Sequence, residues 1–292
     1  MKIRLLKDYP AALLLLIALA FFLGSNHVRA ADVGAILAEE YLKKNALTDI
    51  DTQMTLDQAA KVQEEFVNII SREYGAPVGY KAGLTNPNVQ KVFGVSQPVR
   101  GTLLEKMLIK SGATVPAGFG AISFAEGDLV VRVGDEAVNQ VKSAEETLKY
   151  LDAVIPFIEL PDMAFDKTVK PTAAAIVAIN VGTRHGVMGD PIPLAATPEW
   201  RDRLKNFTLQ AFDEKGALLG EAKGTALLGD PLSVVLWLKD SLAAEGKKLK
   251  KGDLLSLGSL TKPIPAKPGT GVKVRYIGLD PKGPVEISVS FK

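Results

Sequence analysis

The chain has 292 residues, 47% of them hydrophobic and 23% charged, with no cysteine. That composition excludes a disulfide scaffold, a thiolate metal site and a cysteine nucleophile. Its charge content and mixed residue order also exclude an intrinsically disordered chain.

The mean hydropathy of +0.14 is weighted to the front of the chain. Lys2, Arg4 and Lys7 precede the apolar run 11–23, and Val28-Arg29-Ala30 follows a short polar patch. A basic region, a short apolar stretch and a small residue before the cut read as a secretory signal over residues 1–30, cleaved after Ala30. The run falls short of the roughly 20 apolar residues of a spanning helix. The expectation is a periplasmic or secreted protein, with an uncleaved N-terminal anchor as the alternative. Without the leader, 31 basic residues face 32 acidic ones, and His185 is the single histidine. No basic block points to nucleic acid, and multi-histidine zinc sites are excluded. Any metal site in the remaining chain is built from oxygen.

Residues 31–115 read as a helical N-terminal subdomain. Val33, Ile36, Leu37, Tyr41 and Leu42 recur at helical spacing, and Thr55 with Gln58 forms a capping box for a helix over 56–73. Gly75 and Pro77 stop it, and residues 79–104 read as a glycine-punctuated loop. Residues 116–292 read as β-rich, with strands at 122–133, 153–160, 173–179, 207–212, 254–257, 272–277 and 285–291. Two helices interrupt them: a short one capped by Ser143, and one over 232–244 opened by Pro231 and ended by Gly246. Residues 213–216 read as a hairpin turn. The pattern is an α+β fold, mainly antiparallel, with a helical N-terminal part.

The run Phe124-Ala-Glu126-Gly-Asp128-Leu-Val-Val131 places two acids on one face of a strand among Ile122, Phe124 and Val130. A third acid, Glu159, interrupts the apolar run 154–160. A buried, unpaired carboxylate is costly, so each must be neutral, paired or metal-bound. Three of them converging on Mg2+, Mn2+ or Ca2+ would resolve the anomaly. A solvent-reaching strand end, or a salt bridge from a buried Arg or Lys to Glu159, is the plainer alternative.

Several segments in order carry a resemblance. They are Gly79-Tyr-Lys-Ala-Gly-Leu-Thr85, Gly94-Val-Ser-Gln-Pro98, Glu126-x-Asp128, Phe157-Ile-Glu159, Asn180 with Gly189, Gly229-Asp-Pro231, and Gly258-Ser-Leu-Thr-Lys-Pro-Ile-Pro265. Together, across residues 35–291, they resemble the 2-keto-4-pentenoate hydratases and 2-oxo-3-hexenedioate decarboxylases of the fumarylacetoacetate hydrolase superfamily. The resemblance implies a mixed β roll, metal ligation by Glu126, Asp128 and Glu159, and a Mg2+ or Mn2+ cofactor. It implies a catalytic role for Lys81 near the reacting carbons, where the plainer alternative is a surface lysine in a loop. It also implies that Gly258 and Ser259 hold the carboxylate of a small 2-oxo acid, and that the protein forms homo-oligomers. The implied activity is a metal-dependent lyase, foremost a hydratase adding water to a 2-hydroxy-dienoate. A 2-oxo-enedioate decarboxylase is the alternative, and an exported, non-catalytic 2-oxo-acid binder is the rival of another class.

The sequence also departs from the family pattern. Ser96 stands where hydratases carry an acid, and serine cannot serve as a general base near neutrality. Val99-Arg100 replaces an acidic-aromatic pair, which places a positive charge near the expected mouth. Asp128 is one methylene shorter than the usual glutamate, and Asp230 stands where histidine is frequent. His185 reads as a polar loop or interface residue, and Trp237 as helix core.

Overall fold

The computed structural model describes residues 30–51 and 53–292, so the expected signal segment 1–30 lies outside the described residues except for Ala30. The chain begins with two packed helices, α1 (Ala30–Lys43) and α2 (Leu56–Tyr74). The capping box of α2 forms as its sequence predicts: Gln58 N–H donates to the Thr55 hydroxyl at 3.2 Å, and the Gln58 side chain accepts from Thr55 N–H at 2.8 Å. Short helices follow at α3 (Pro87–Val92), α4 (Ala144–Thr147), α5 (Ala173–Ala178) and α6 (Pro198–Asn206), and α7 (Pro231–Ala244) is longer.

The strands are β1 (Pro77–Gly83), β2 (Val99–Leu104), β3 (Leu108–Lys110), β4 (Ala113–Val115), β5 (Phe124–Val133), β6 (Leu151–Leu160) and β7 (His185–Met188). They continue as β8 (Ile192–Pro193), β9 (Thr208–Asp213), β10 (Leu218–Lys223), β11 (Leu254–Ser256), β12 (Ile264–Pro265), β13 (Gly271–Asp280) and β14 (Gly283–Phe291). One curled sheet runs β2-β1-β11-β5-β6-β7-β3, with β12 joined to β5 and β8 to β6. A second runs β10-β9-β13-β14-β4. Most pairings are antiparallel, while β1–β11, β3–β7 and β4–β14 are parallel. The α+β class and the mainly antiparallel reading hold.

Two sequence expectations change. The 79–104 stretch is not all loop, because β1 and β2 pair across it and carry Lys81 into the first sheet. The segment 31–115 thus contributes four strands as well as its helices. Residues 173–179 form helix α5 rather than a strand. Thr172 caps it by accepting from Ala175 N–H at 3.2 Å, and a run rich in alanine favours helix once capped.

Strand alternation divides the interior. Ala125, Leu129, Val131, Val154 and Ile158 face the second sheet and belong to the main core with Leu209, Val274 and Tyr276. Val130, Ile155 and Phe157 face the other way and form a smaller apolar patch with Leu108 and Met188. Glu126, Asp128 and Glu159 share that second face.

A buried ion pair ties the helical part to this frame. Arg184 and Asp162 are each 1% exposed, with Nη1 3.4 Å from Oδ2. The guanidinium also donates to the Tyr41 carbonyl of α1 at 2.6 Å and stacks on the Tyr41 ring at 3.9 Å. Asp162 in turn accepts from the N–H groups of Ala121, Ile122 and Ala164 at 2.9, 2.9 and 3.1 Å, fixing the turn that leads into β5. Removing one partner of a buried pair strands the other. Asp162→Ala is expected to lower unfolding stability by about 3–5 kcal/mol. Urea denaturation measures this, and a loss below about 1 kcal/mol would show that the pair does not anchor the entry to β5.

Candidate active site

Lys81 sits in the middle of β1, opposite Gly101 of β2 and Ser256 of β11. Glu126 lies directly opposite Glu159 across the β5–β6 ladder, and Asp128 lies two residues further on, opposite Phe157. The sheet curls, so Lys81 reaches across β11 and β5 and its Nζ donates to Glu159. The same ammonium donates to the main-chain carbonyl of Val181 at 3.0 Å. Lys81 is 4% exposed, so it is not the surface lysine of the alternative reading.

The other two acids are held by the segment 256–259. Ser259 Oγ donates to Glu126, Ser256 Oγ donates to Asp128 Oδ2 at 2.5 Å, and Gly258 N–H donates to Asp128 Oδ1 at 2.9 Å. Gly258 adopts φ 108°, and an added Cβ would stand 2.4 Å from Thr85 Oγ1, so no other residue fits without displacing the loop. The structure therefore brings all six sequence-predicted site residues to one wall, in three hydrogen-bonded groups: Lys81 with Glu159, Ser259 with Glu126, and Gly258 with Asp128. Gly258 and Ser259 touch the carboxylates of the chain itself.

Sequence reasoning missed two contributors. Ser256 is fully buried on the strand face opposite its core-facing neighbours Leu255 and Leu257. A hydroxyl in that apolar run was the available signal. Tyr276 reaches from β13 into the β5–β6 ladder: its hydroxyl lies 2.6 Å from Asp128 O and 2.8 Å from Phe157 O, and accepts from Phe157 N–H at 2.9 Å. Alternation with Val272 and Val274 marks Tyr276 as inward-facing, but nothing local marks its target.

Arg100 is a correction. It shares a face with Tyr80 and Ala82, away from Lys81, because its register partner is Ala82. It donates to Ser241 at 2.6 Å and pairs with Glu245 at 2.6 Å, both on or just beyond α7. Asp230, in the place where the family has histidine, caps α7 by accepting from Leu232 N–H at 3.0 Å. His185 is also placed differently from the loop expected: it lies in β7 between the Tyr74 and Phe119 rings, and burial pulls its pKa down to about 4. Ser96 is exposed in the loop after α3.

Three buried carboxylates face one buried ammonium, so the site carries surplus negative charge if all ionise. Burial first, and repulsion from Glu159 second, push Glu126 and Asp128 up to about 7. The donor set is entirely oxygen and this surplus matches a divalent cation such as Mg2+ or Mn2+. Among the described residues, no three acidic, histidine or cysteine side chains are closed around one point as a ready ligand set. Asp128 is turned towards Ser256 and Gly258, and Glu159 towards Lys81. Charge and donor chemistry fit the ion, and these hydrogen bonds are what it would compete with. A surface groove of about 420 Å3 lies elsewhere, on the second sheet beside Asp213, Lys273 and Arg275. Arg275 there is paired with Glu286 at 2.5 Å.

No family model matches the chain. The 4-oxalocrotonate decarboxylase of Pseudomonas sp. strain CF600 is 29% identical over 234 residues, which cover 77% of this chain and 83% of that protein. The 2-keto-4-pentenoate hydratase of Paraburkholderia xenovorans strain LB400 is 26% identical over 199 residues, 66% of this chain and 69% of that one. Its relatives are the 2-keto-4-pentenoate hydratases and the 4-oxalocrotonate decarboxylases. A solved 4-oxalocrotonate decarboxylase from Pseudomonas putida G7, complexed with magnesium and adipate, superposes with TM-score 0.79 at 22% identity, covering 90% of this chain and 97% of that one. A fumarylacetoacetate hydrolase family protein from Yersinia pestis CO92 superposes with TM-score 0.53 at 14% identity, so the fold is a roll of that type, as the sequence resemblance implies.

Two outcomes test the electrostatics. Both raised carboxyls hold protons in the folded state that they release when unfolded, between their ordinary values near 4 and about 7. Their contribution to stability is therefore full below pH 4 and lost as pH rises through 7. In chelator, the protein is expected to lose stability from pH 5 to pH 8, and added Mg2+ to reverse the loss. Thermal melts across that range check it, and stability rising with pH would refute it. Tyr276→Phe leaves main-chain groups of β5 and β6 unpaired and is expected to cost about 1–3 kcal/mol in urea denaturation.

Proposed function

We propose that this protein is a divalent-metal-dependent lyase acting on small 2-oxo acids, foremost a hydratase of the 2-keto-4-pentenoate type. The observation that carries the reading is the buried cluster of Glu126, Asp128 and Glu159 with Lys81, at the positions where the family resemblance expects ligands and a catalytic lysine. In this reading the three carboxylates hold Mg2+ or Mn2+. Such an ion would supply Lewis-acid stabilisation of the negative charge that develops on a 2-oxo acid when a proton moves.

The chain's own groups supply the rest. Lys81, tethered by Val181 and Glu159, holds a fixed ammonium that gives a proton at the substrate chain, and the amine so formed takes one back. Ser259, next to Glu126, is placed to exchange its carboxylate partner for a substrate oxygen. The apolar patch of Val130, Ile155 and Phe157 keeps bulk water from the same wall, which strengthens every charge interaction there.

Decarboxylation of a 2-oxo-enedioate is the second reading. Ser96 favours it, because hydration needs a base to activate water and the serine here is exposed and not an acid. The relative sharing 29% identity carries the decarboxylase name. Residues 1–30 support export of the protein, and among the described residues no helix is long and apolar enough to cross a membrane.

With Mg2+ or Mn2+ and 2-hydroxypenta-2,4-dienoate, purified protein is expected to remove the dienol absorbance faster than buffer does. CO2 release from 2-oxo-3-hexenedioate would instead select the decarboxylase, and tight oxalate binding without either activity would select the binder. Lys81→Met is expected to lower kcat by about 10²–10⁴. Glu126→Gln is expected to weaken Mg2+ or Mn2+ binding by about tenfold or more in a calorimetric titration. Wild-type affinity in that variant would remove Glu126 from the ligand set.

A further inference from the structure

Between α5 and β7 the backbone passes through three consecutive left-handed residues, Asn180 (φ 55°), Val181 (φ 56°) and Gly182 (φ 67°). Asparagine and glycine enter that region readily. A β-branched residue does not, and it stays there only where its surroundings over-determine the turn. They do so here. Thr102 N–H donates to Asn180 Oδ1 at 2.7 Å, and Asn180 Nδ2 donates back to Thr102 O at 2.9 Å. The Thr183 hydroxyl donates to Asn180 O at 2.7 Å. Gly101 makes room for this closure, since a Cβ there would lie 2.8 Å from Asn180 O and 3.0 Å from Lys81 Cγ.

The strained turn presents the Val181 carbonyl to the site, where it accepts from Lys81 Nζ at 3.0 Å. An ammonium has three donors. With one on Val181 and one on Glu159, the direction of the third is set.

We infer that Asn180 is a positioning residue for Lys81. By clamping the left-handed turn onto β2, it aims the Val181 carbonyl and, through it, the lysine ammonium at the reacting molecule. The inference rests on the proposed role of Lys81 in proton transfer. It also explains why Val181 occupies an unfavourable conformation: relaxing the turn would move its carbonyl off the lysine.

Asn180→Gly tests it, because glycine accepts the left-handed backbone without strain and removes only the clamp. The expected result is a kcat lower by about tenfold to a hundredfold, with KM and Mg2+ affinity within about twofold of wild type. Asn180→Asp keeps the acceptor for Thr102 N–H and is expected to recover part of that kcat. A second readout does not depend on turnover: trinitrophenylation of Lys81, followed by peptide mass, is expected to run several-fold faster in Asn180→Gly. Wild-type kcat and wild-type labelling in that variant would overturn the inference. So would kcat, KM and melting temperature falling together while Lys81 labelling stays unchanged, since that describes a merely structural role. If wild-type protein converts no 2-oxo acid but the variant still exposes Lys81, the aiming of Lys81 stands and the lyase reading falls. Should Asn180→Gly fail to fold, Thr183→Val removes only the hydroxyl on Asn180 O and is expected to give the same split and the same faster labelling.

Discussion

The organising constraint is electrostatic. Glu126, Asp128 and Glu159 lie on one face of the β5–β6 ladder, buried among Val130, Ile155 and Phe157, with a single lysine to answer them. Such a wall is costly to build, because each ionised carboxylate gives up water and the one lysine, paired with Glu159, cannot compensate all three. The fold meets that cost with directed donors. Ser256, Ser259 and the Gly258 N–H each serve one acid, and all three come from a segment of four residues that enters as β11 and leaves as a tight loop. A site held this way is stiff in its backbone and poised in its charge, which is the combination that binding of a dication and an anionic acid requires.

The architecture exists to bring distant residues to that wall. Lys81 and Glu159 are separated by 78 positions in sequence and by two intervening strands in the sheet, and only the curl of the sheet lets them meet. The second sheet reaches into the site through one atom, the Tyr276 hydroxyl, which joins the β5–β6 ladder at the level of Asp128. The helical part does the same on the other side: Tyr41 and Arg184 secure Asp162, and Asp162 secures the turn before β5. Each layer of the molecule thus ends on a group within a few residues of a carboxylate.

Much of this was legible. Period-two alternation puts Glu126 and Asp128 on one face, and the capping residues Thr55 and Ser143, with Pro231 in a first turn, mark helices that form. Residues 173–179 read as a strand because a short apolar run rich in alanine has no period to separate strand from helix, and the Thr172 cap decides for helix. Lys81 could be named but not buried by sequence alone: β1 is interrupted by Gly79 and Gly83, and its partners β11 and β2 lie far apart in the chain. Arg100 reads as near the mouth because Val99-Arg100 replaces an acidic-aromatic pair of the family pattern, yet its register partner Ala82 puts it on the face away from Lys81. The Asn180 turn was visible only as part of a family pattern, since a left-handed valine has no sequence signature.

The position of His185 narrows the chemistry further. Its neighbour Gly186 is the register partner of Glu159, and His185 itself pairs with Leu160, so its ring turns to the opposite face and packs between Tyr74 and Phe119. Burial keeps it neutral well below physiological pH. It is therefore close to Glu159 across the β6–β7 ladder, with its ring on the other face of the sheet. Among the described residues, no imidazole lies on this wall to activate water. The ionisable side chains on the wall itself are three carboxylates and Lys81, a set suited to steering one proton while charge builds on an oxygen. In the proposed reading, that set serves proton movement coupled to an electron sink, the step shared by hydration and decarboxylation of 2-oxo acids.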